Sequence, residues 1–191
     1  MTRTLRAAVA PLSAVIAITL AALTWHHLPE NTEIYAPFDV RGDTGSPTRG
    51  RALTTTVTGL QITPLVKPDR GRSVQAIGVW VLVDATVTAT ESSGLPRAEL
   101  LVGRNTYAPS DRLLPGATLG GPLDPDITEQ GAWVFDVPPA LLDTVGSVML
   151  RTWLGLDPRL DSLLVVDISL TDSRVSRSDA VELPKPVSAA S

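Results

Sequence analysis

Ile77 to Thr90, IGVWVLVDATVTAT, is the longest alternating run outside the N-terminus. On a strand, Val79, Val81, Val83, Ala85 and Val87 fall on one face, and Trp80, Leu82, Asp84, Thr86 and Thr88 on the other. Both faces are apolar in the first half, and one turns polar in the second. This pattern predicts a central strand that starts deep in a sandwich and runs out to its rim. Its β-branched residues suit a pleated surface. Val83 is a predicted core position. Asp84 departs from plain packing and is expected near the rim or paired with an arginine of a neighbouring strand, Arg151 being one candidate.

The same period recurs along the chain. Ile34 to Val40 reads as an edge strand, because Pro37 interrupts it, and Arg41 to Arg51 as a Gly/Pro-rich loop. Leu53 to Val66 reads as a strand whose inward positions switch parity from Leu53, Thr55 and Val57 to Leu60 and Ile62. Gly59 stands at the switch, which predicts a bulge. Ala98 to Val102 is a short strand, and Gly103-Arg104-Asn105 has hairpin chemistry leading to Thr106-Tyr107. Residues 109–131 form the longest irregular stretch, a length that is usually functional or mobile. Ala132 to Val137, Val145 to Leu154 and Leu163 to Leu170 are further strands, with one helical turn expected over Pro138 to Leu142. Six or seven strands with almost no helical periodicity predict an all-β sandwich over 34–171. Residues 172–191 are polar and Pro/Ser/Ala-bearing, and disorder is expected there.

Ahead of this domain, Ala7 to Trp25 runs for nineteen residues without a charge. A helix of that length spans roughly 28 Å, close to a hydrocarbon core. Arg3 and Arg6 precede it, and no Lys or Arg follows until Arg41. The positive-inside bias therefore predicts a cytoplasmic tip at 1–6, a transmembrane signal-anchor helix at 7–25 held in membrane lipid, a spacer at 26–33, and everything beyond outside the cell membrane. The competing reading is a cleaved signal peptide and a secreted domain. Leu20-Ala21-Ala22 is its nearest cleavage candidate, with Leu at the first small position.

Charge and composition narrow the chemistry. Net charge is −4, and removing Arg3 and Arg6 leaves 14 basic against 20 acidic side chains. No basic patch stands out, so nucleic acid is not an expected partner. The chain has no cysteine, which excludes disulfides, thiolate metal sites and Cys nucleophiles. Its two histidines are His26 and His27, adjacent on the spacer, where they cannot be held against a distant serine for general-base work.

Gly78 to Thr90, then Glu99 to Arg112 (ELLVGRNTYAPSDR), then Gly131 to Pro138 (GAWVFDVP) resemble an actinobacterial family of exported or membrane-anchored immunoglobulin-like domains, the family of a small secreted mycobacterial antigen. The resemblance rests on Trp80 to Val87, Tyr107 and Phe135 to Pro138, and covers roughly residues 34–171. It implies an immunoglobulin-like β-sandwich outside the cell membrane and supplies no catalytic residues. Where family members follow the central strand with an Asn-containing turn, this chain has Thr90-Glu91-Ser92-Ser93-Gly94.

The remaining constellations are turn-borne. Asp124, Asp126 and Glu129 offer three carboxylates within six positions, and Asp157 and Asp161 two more. Calcium wants six to eight oxygens from such loops, but the spacing matches no EF-hand. Asp before Pro starts turns, and its carboxylate accepts backbone N–H bonds. Arg159 is expected to pair with Asp157 or Asp161. Arg41-Gly42-Asp43 spells an integrin-type tripeptide in what reads as an ordinary loop. Trp80, Trp133 and Trp153 fall on strands, with partial exposure open for Trp80 and Trp133; two tryptophans together on a surface would mark a partner patch.

The leading expectation is a binding or scaffold module without catalytic activity and without a cofactor or metal. It contacts a protein or cell-envelope component through the 109–131 loop or a sheet edge, with Tyr107, Asp111, Arg112, Asp124 and Asp126 as its candidate partner surface. Two alternatives stay open: a small hydrolase using Asp124, Asp126 or Asp157, and a calcium-stabilised spacer.

Overall fold

The computed structural model describes residues 16–25, 36–159 and 161–190, and the chain divides into two units, Met1–Ala36 and Pro37–Ser191. In the first unit, residues 16–25 form helix α1, exposed throughout. Among the described residues no helix is long and apolar enough to cross a membrane. Residues 7–15 of the expected span, the tip at 1–6, the spacer at 26–33 with both histidines, and Ile34 and Tyr35 lie outside the described residues.

The second unit is a β-sandwich. One sheet contains β1 (Phe38–Asp43), β5 (Pro96–Val102), β6 (Asn105–Tyr107), β8 (Ser147–Leu154) and β9 (Ser162–Ser169) in the spatial order β1-β9-β8-β5-β6. The other contains β3 (Leu53–Pro68), β4 (Val74–Ala89), β7 (Ile127–Val137), β10 (Val175–Arg177) and β12 (Val187–Ala190) in the order β10-β3-β4-β7-β12. Two short strands, β2 (Thr48–Arg49) and β11 (Val181–Leu183), also pair with β3. A single helical turn, α2 (Pro139–Leu142), follows β7 and buries Leu142.

The alternation explains the layers. β4 is central in its sheet, and Val81, Val83, Ala85 and Val87 point inward with Leu60, Ile62, Leu100, Trp133, Phe135, Leu150 and Leu164. The expected parity switch on β3 is a register shift between Val57 and Gly59 against β4. Its physical role is to bring both Val57 and Leu60 to the inner face, since one extra residue reverses the side-chain alternation.

β4 is apolar on both faces in its first half because the outer face there is covered. Trp80, Leu82, Ala132 and Val134 form a second cluster beneath Leu113, Val181 and Leu183. Trp80 and Trp133 are therefore both buried, at 0% and 1% exposure, with Trp80 in this outer cluster and Trp133 in the main core.

Three expectations are corrected. Residues 172–191 contain β10, β11 and β12. β10 and β11 add parallel to β3, and β12 adds antiparallel to β7 at 127–130. Polar composition suggested disorder, but these strands satisfy the backbone groups of two sheet edges, and Val181 and Leu183 cover apolar surface. The same pairing makes Ile127 to Gly131 part of β7, so the irregular stretch ends at Asp126. Arg41-Gly42-Asp43 lies in β1, parallel to Val165–Asp167 of β9, and is not in a loop.

Candidate functional site

The long loop is held by its backbone. Gly103, at φ +61, turns the β5-β6 hairpin. Val102 to Leu100 pair with Asn105 to Tyr107, and there the ladder stops. The next hydrogen-bonded pair would set Ala98 against Pro109, which has no N–H to donate. The chain crosses instead to the other sheet, where Ser110 N–H donates to Val134 O at 2.8 Å and Leu119 N–H to Ala132 O at 2.9 Å. Further on, Leu123 and Gly94 exchange bonds at 2.8 and 3.0 Å, and Asp126 N–H donates to Ala89 O at 3.0 Å.

This path leaves a cleft of about 780 Å³ between the open edge of β5 and the loop. Pro96, Arg97, Ala98 and Glu99 form one side, and Pro109, Pro115, Gly116, Leu119, Gly120 and Pro122 line the loop side. Trp133, Trp153 and Leu156 complete it. Leu156 is 84% exposed. The indole Nε1 of Trp153 is buried without a hydrogen-bond partner, as is Nε of Arg151 two residues earlier on β8. A buried donor left unpaired is costly, and such groups call for an explanation.

The five residues expected to form a partner surface do not converge. Tyr107 ends β6, half-buried and packed against the main core. Asp111 is exposed on the loop. Arg112 stacks over Trp80 at 5.0 Å from the ring centroid. It also donates to Asp136 Oδ2 at 2.8 Å and to Gln75 O at 2.7 Å. Asp136 in turn accepts the N–H groups of Ile77 and Gly78 at 2.9 Å each. Arg112 therefore fastens the loop over Trp80 and is committed to structure. Asp124 accepts from Ser93 Oγ at 2.8 Å. Asp126 adopts φ 60, a left-handed conformation that Asp tolerates.

The two carboxylates of the second turn each meet an arginine, and Asp161 pairs with Arg51 at 3.3 Å. Asp157 pairs with Arg159 at 2.5 Å, as expected, and the guanidinium holds its carboxyl below the ordinary range. Among the described residues, no three His, Asp or Glu side chains group to hold a metal ion.

Asp84 is not paired with Arg151, which belongs to the opposite sheet and sits across from Glu99 and Val165. Gln61 Nε2 donates to Asp84 Oδ2 at 2.7 Å across β3 and β4. The carboxyl lies in a hollow of about 490 Å³ roofed by Glu182 to Val187, and burial raises its pKa while the Gln61 bond partly offsets this. Glu129 is raised for the same reason, burial.

The cleft is not legible in any one stretch, because Ala98, Leu119, Trp133 and Trp153 come from four segments. The available signal was the run of prolines at 96, 109, 115 and 122 together with two strand tryptophans.

No family model matches the chain, and no curated protein matches it. An uncharacterized β-sandwich protein from Clostridium difficile is similar in structure, at 16% identity and a TM-score of 0.46, covering 73% of this chain and 99% of its own. A candidate lipoprotein of Bacillus subtilis is similar at 14% identity and a TM-score of 0.48, covering 68% of this chain and 40% of its own.

Proposed function

We propose that the chain is a membrane-anchored extracytoplasmic binding module without catalytic activity, which receives a protein or cell-envelope component in the cleft between β5 and the loop of residues 108–122. The observation that carries this reading is the cleft itself: about 780 Å³, walled by prolines, with Trp133 and Trp153 brought to it from opposite sheets. Pockets of this size and lining are the usual form of a binding site. Of the carboxylates named for hydrolysis, Asp124 is engaged by Ser93 and Asp157 by Arg159.

The anchor is supported by the uncharged run from Ala7 to Trp25. It is also supported by α1, where Ile16, Ile18, Leu20, Leu23 and Trp25 are all more than half exposed. Apolar side chains without protein cover suit a lipid environment. An immunoglobulin-like topology is supported by strand order: β3, β4 and β7 occupy the places of strands A, B and E, and β6, β5, β8 and β9 those of C′, C, F and G. That order accords with the resemblance to the actinobacterial exported family.

The test is site-specific photocrosslinking in intact cells. A photoreactive side chain at Leu156, in the cleft, is expected to give a discrete adduct that Trp153→Ala removes. The same group at Ile77, which is 87% exposed and outside the cleft, gives none. Identical adducts from both positions would sink the reading.

A further inference from the structure

In an antiparallel ladder, successive residues turn their N–H and C=O groups to alternate neighbours. Leu95 O accepts from Gly155 N–H on the β8 side. The two residues Gly103-Arg104 make Val102↔Asn105 the closing pair on the β6 side. Both observations give the same parity: Leu95, Arg97 and Glu99 address β8, while Ala98, Leu100 and Val102 address β6. Leu100 and Val102 meet Tyr107 and Asn105. Ala98 has no strand opposite it, because β6 has ended and Ser110 N–H has gone to Val134 O. The N–H and C=O of Ala98 therefore line the cleft without a strand partner, a donor and an acceptor at the spacing that one residue of an extended chain satisfies.

The flanking side chains add charge. Arg97 and Glu99 both lie on the outer face of β5, while Ala98 points to the inner face and is 4% exposed as a whole residue. Across a strand pair, opposite charges attract and like charges repel. Trp153 is the cross-strand neighbour of Arg97 and carries the unpartnered indole N–H. An acidic residue set opposite Arg97 brings an acceptor to both.

We infer that the cleft binds an extended peptide that adds antiparallel to β5 at Ala98, with a basic–apolar–acidic triplet at its centre, read from N to C. The basic residue stands opposite Glu99 and the acidic one opposite Arg97. The apolar one exchanges both backbone bonds with Ala98 and turns its side chain toward Leu119 and Trp133. Prolines at 96 and 109 confine the open edge to this short stretch, so the same edge does not template indefinite pairing. This inference rests on the reading of the cleft as the binding site.

The test uses the full chain in detergent micelles and three synthetic peptides of equal length: one with Lys-Val-Glu at its centre, one with Glu-Val-Lys, and the first with its central valine N-methylated. The Lys-Val-Glu peptide is expected to bind about 3- to 10-fold tighter than the swapped one. It also slows exchange of the Ala98 amide, and N-methylation abolishes both effects. The double variant Arg97→Glu with Glu99→Arg, both on the outer face of β5, reverses the order of the first two. Trp153→Phe keeps a ring but loses the N–H, and weakens binding by about 3- to 10-fold. Equal binding of the charge-swapped peptides, an unreversed order in the double variant, or no slowing at Ala98 overturns the inference. If it fails while the Leu156 adduct still depends on Trp153, the cleft binds another chemistry; if that dependence fails as well, both readings fall.

Discussion

Thr55 of β3 and Thr152 of β8 share a hydrogen bond of 3.0 Å between their hydroxyls, across the interior from one sheet to the other. Both residues are buried, at 0% and 1% exposure. Either single change to valine strands the other hydroxyl in apolar surroundings, which costs about 1–3 kcal/mol. Replacing both threonines restores an apolar interior of nearly the same shape. The expected result of a double-mutant cycle is two destabilised single variants and a double variant close to the parent. Additive losses in urea unfolding would show that the two hydroxyls act independently.

Arg112 should behave as a structural clasp. Its guanidinium meets the Trp80 ring, the Asp136 carboxylate and the Gln75 carbonyl together. Lysine cannot reproduce a planar fork with several donors. Arg112→Lys and Arg112→Ala are both expected to lower stability by about 1–2 kcal/mol and to shift the Trp80 signal in near-ultraviolet circular dichroism. A lysine variant indistinguishable from the parent would remove the clasp.

The C-terminal strands should be required for stability. Leu183 is 2% exposed and packs in the outer cluster with Trp80 and Val134. Leu183→Ala is expected to cost about 2–4 kcal/mol, the range for a buried leucine. Thermal unfolding measures it directly, and an unchanged midpoint would mean that the segment does not cover the sheet in solution.

Asp84 and Glu129 give a pH dependence of definite sign. Burial raises both pKa values. The folded state then binds more protons than the unfolded state. The contribution of these two groups is greatest below the ordinary carboxylate value and falls as pH climbs through the raised one. Asp157 and Asp172, held low by Arg159 and Arg174, have the opposite slope at lower pH, where their exposed pairs lose strength. Asp84→Asn keeps an acceptor for Gln61 and removes the buried charge. It is expected to raise stability at neutral pH by less than about 1 kcal/mol, since the carboxyl is part-solvated, and to make no difference below about pH 4. A variant that loses stability at neutral pH would assign the charge a partner.

Much of the fold was legible because side-chain alternation is a local property. Val79 to Val87 declared their inner face, Gly59 its bulge, and Gly103 its hairpin. Asp84 declared itself anomalous, but its neighbour could not be read: Gln61 lies 23 positions away and reaches it only through the β3-β4 register. Tyr107, Asp111 and Arg112 lie beside or in the loop that walls the cleft, yet Arg112 is consumed by Trp80 and Asp136. The cleft forms where β6 stops at Tyr107, two residues before Pro109, and its tryptophans arrive from different sheets.

An uncharged N-terminal run followed by a cysteine-free all-β unit can be read from the chain alone, because charge, cysteine content and period are written residue by residue. That Val181 and Leu183 close over Trp80, and that Ala98 lacks a strand partner on its cleft side, follows from the assembled fold. Both outcomes depend on which backbone edges remain unpaired after the sheets have formed, and a strand edge belongs to the assembled sheet rather than to any stretch of chain.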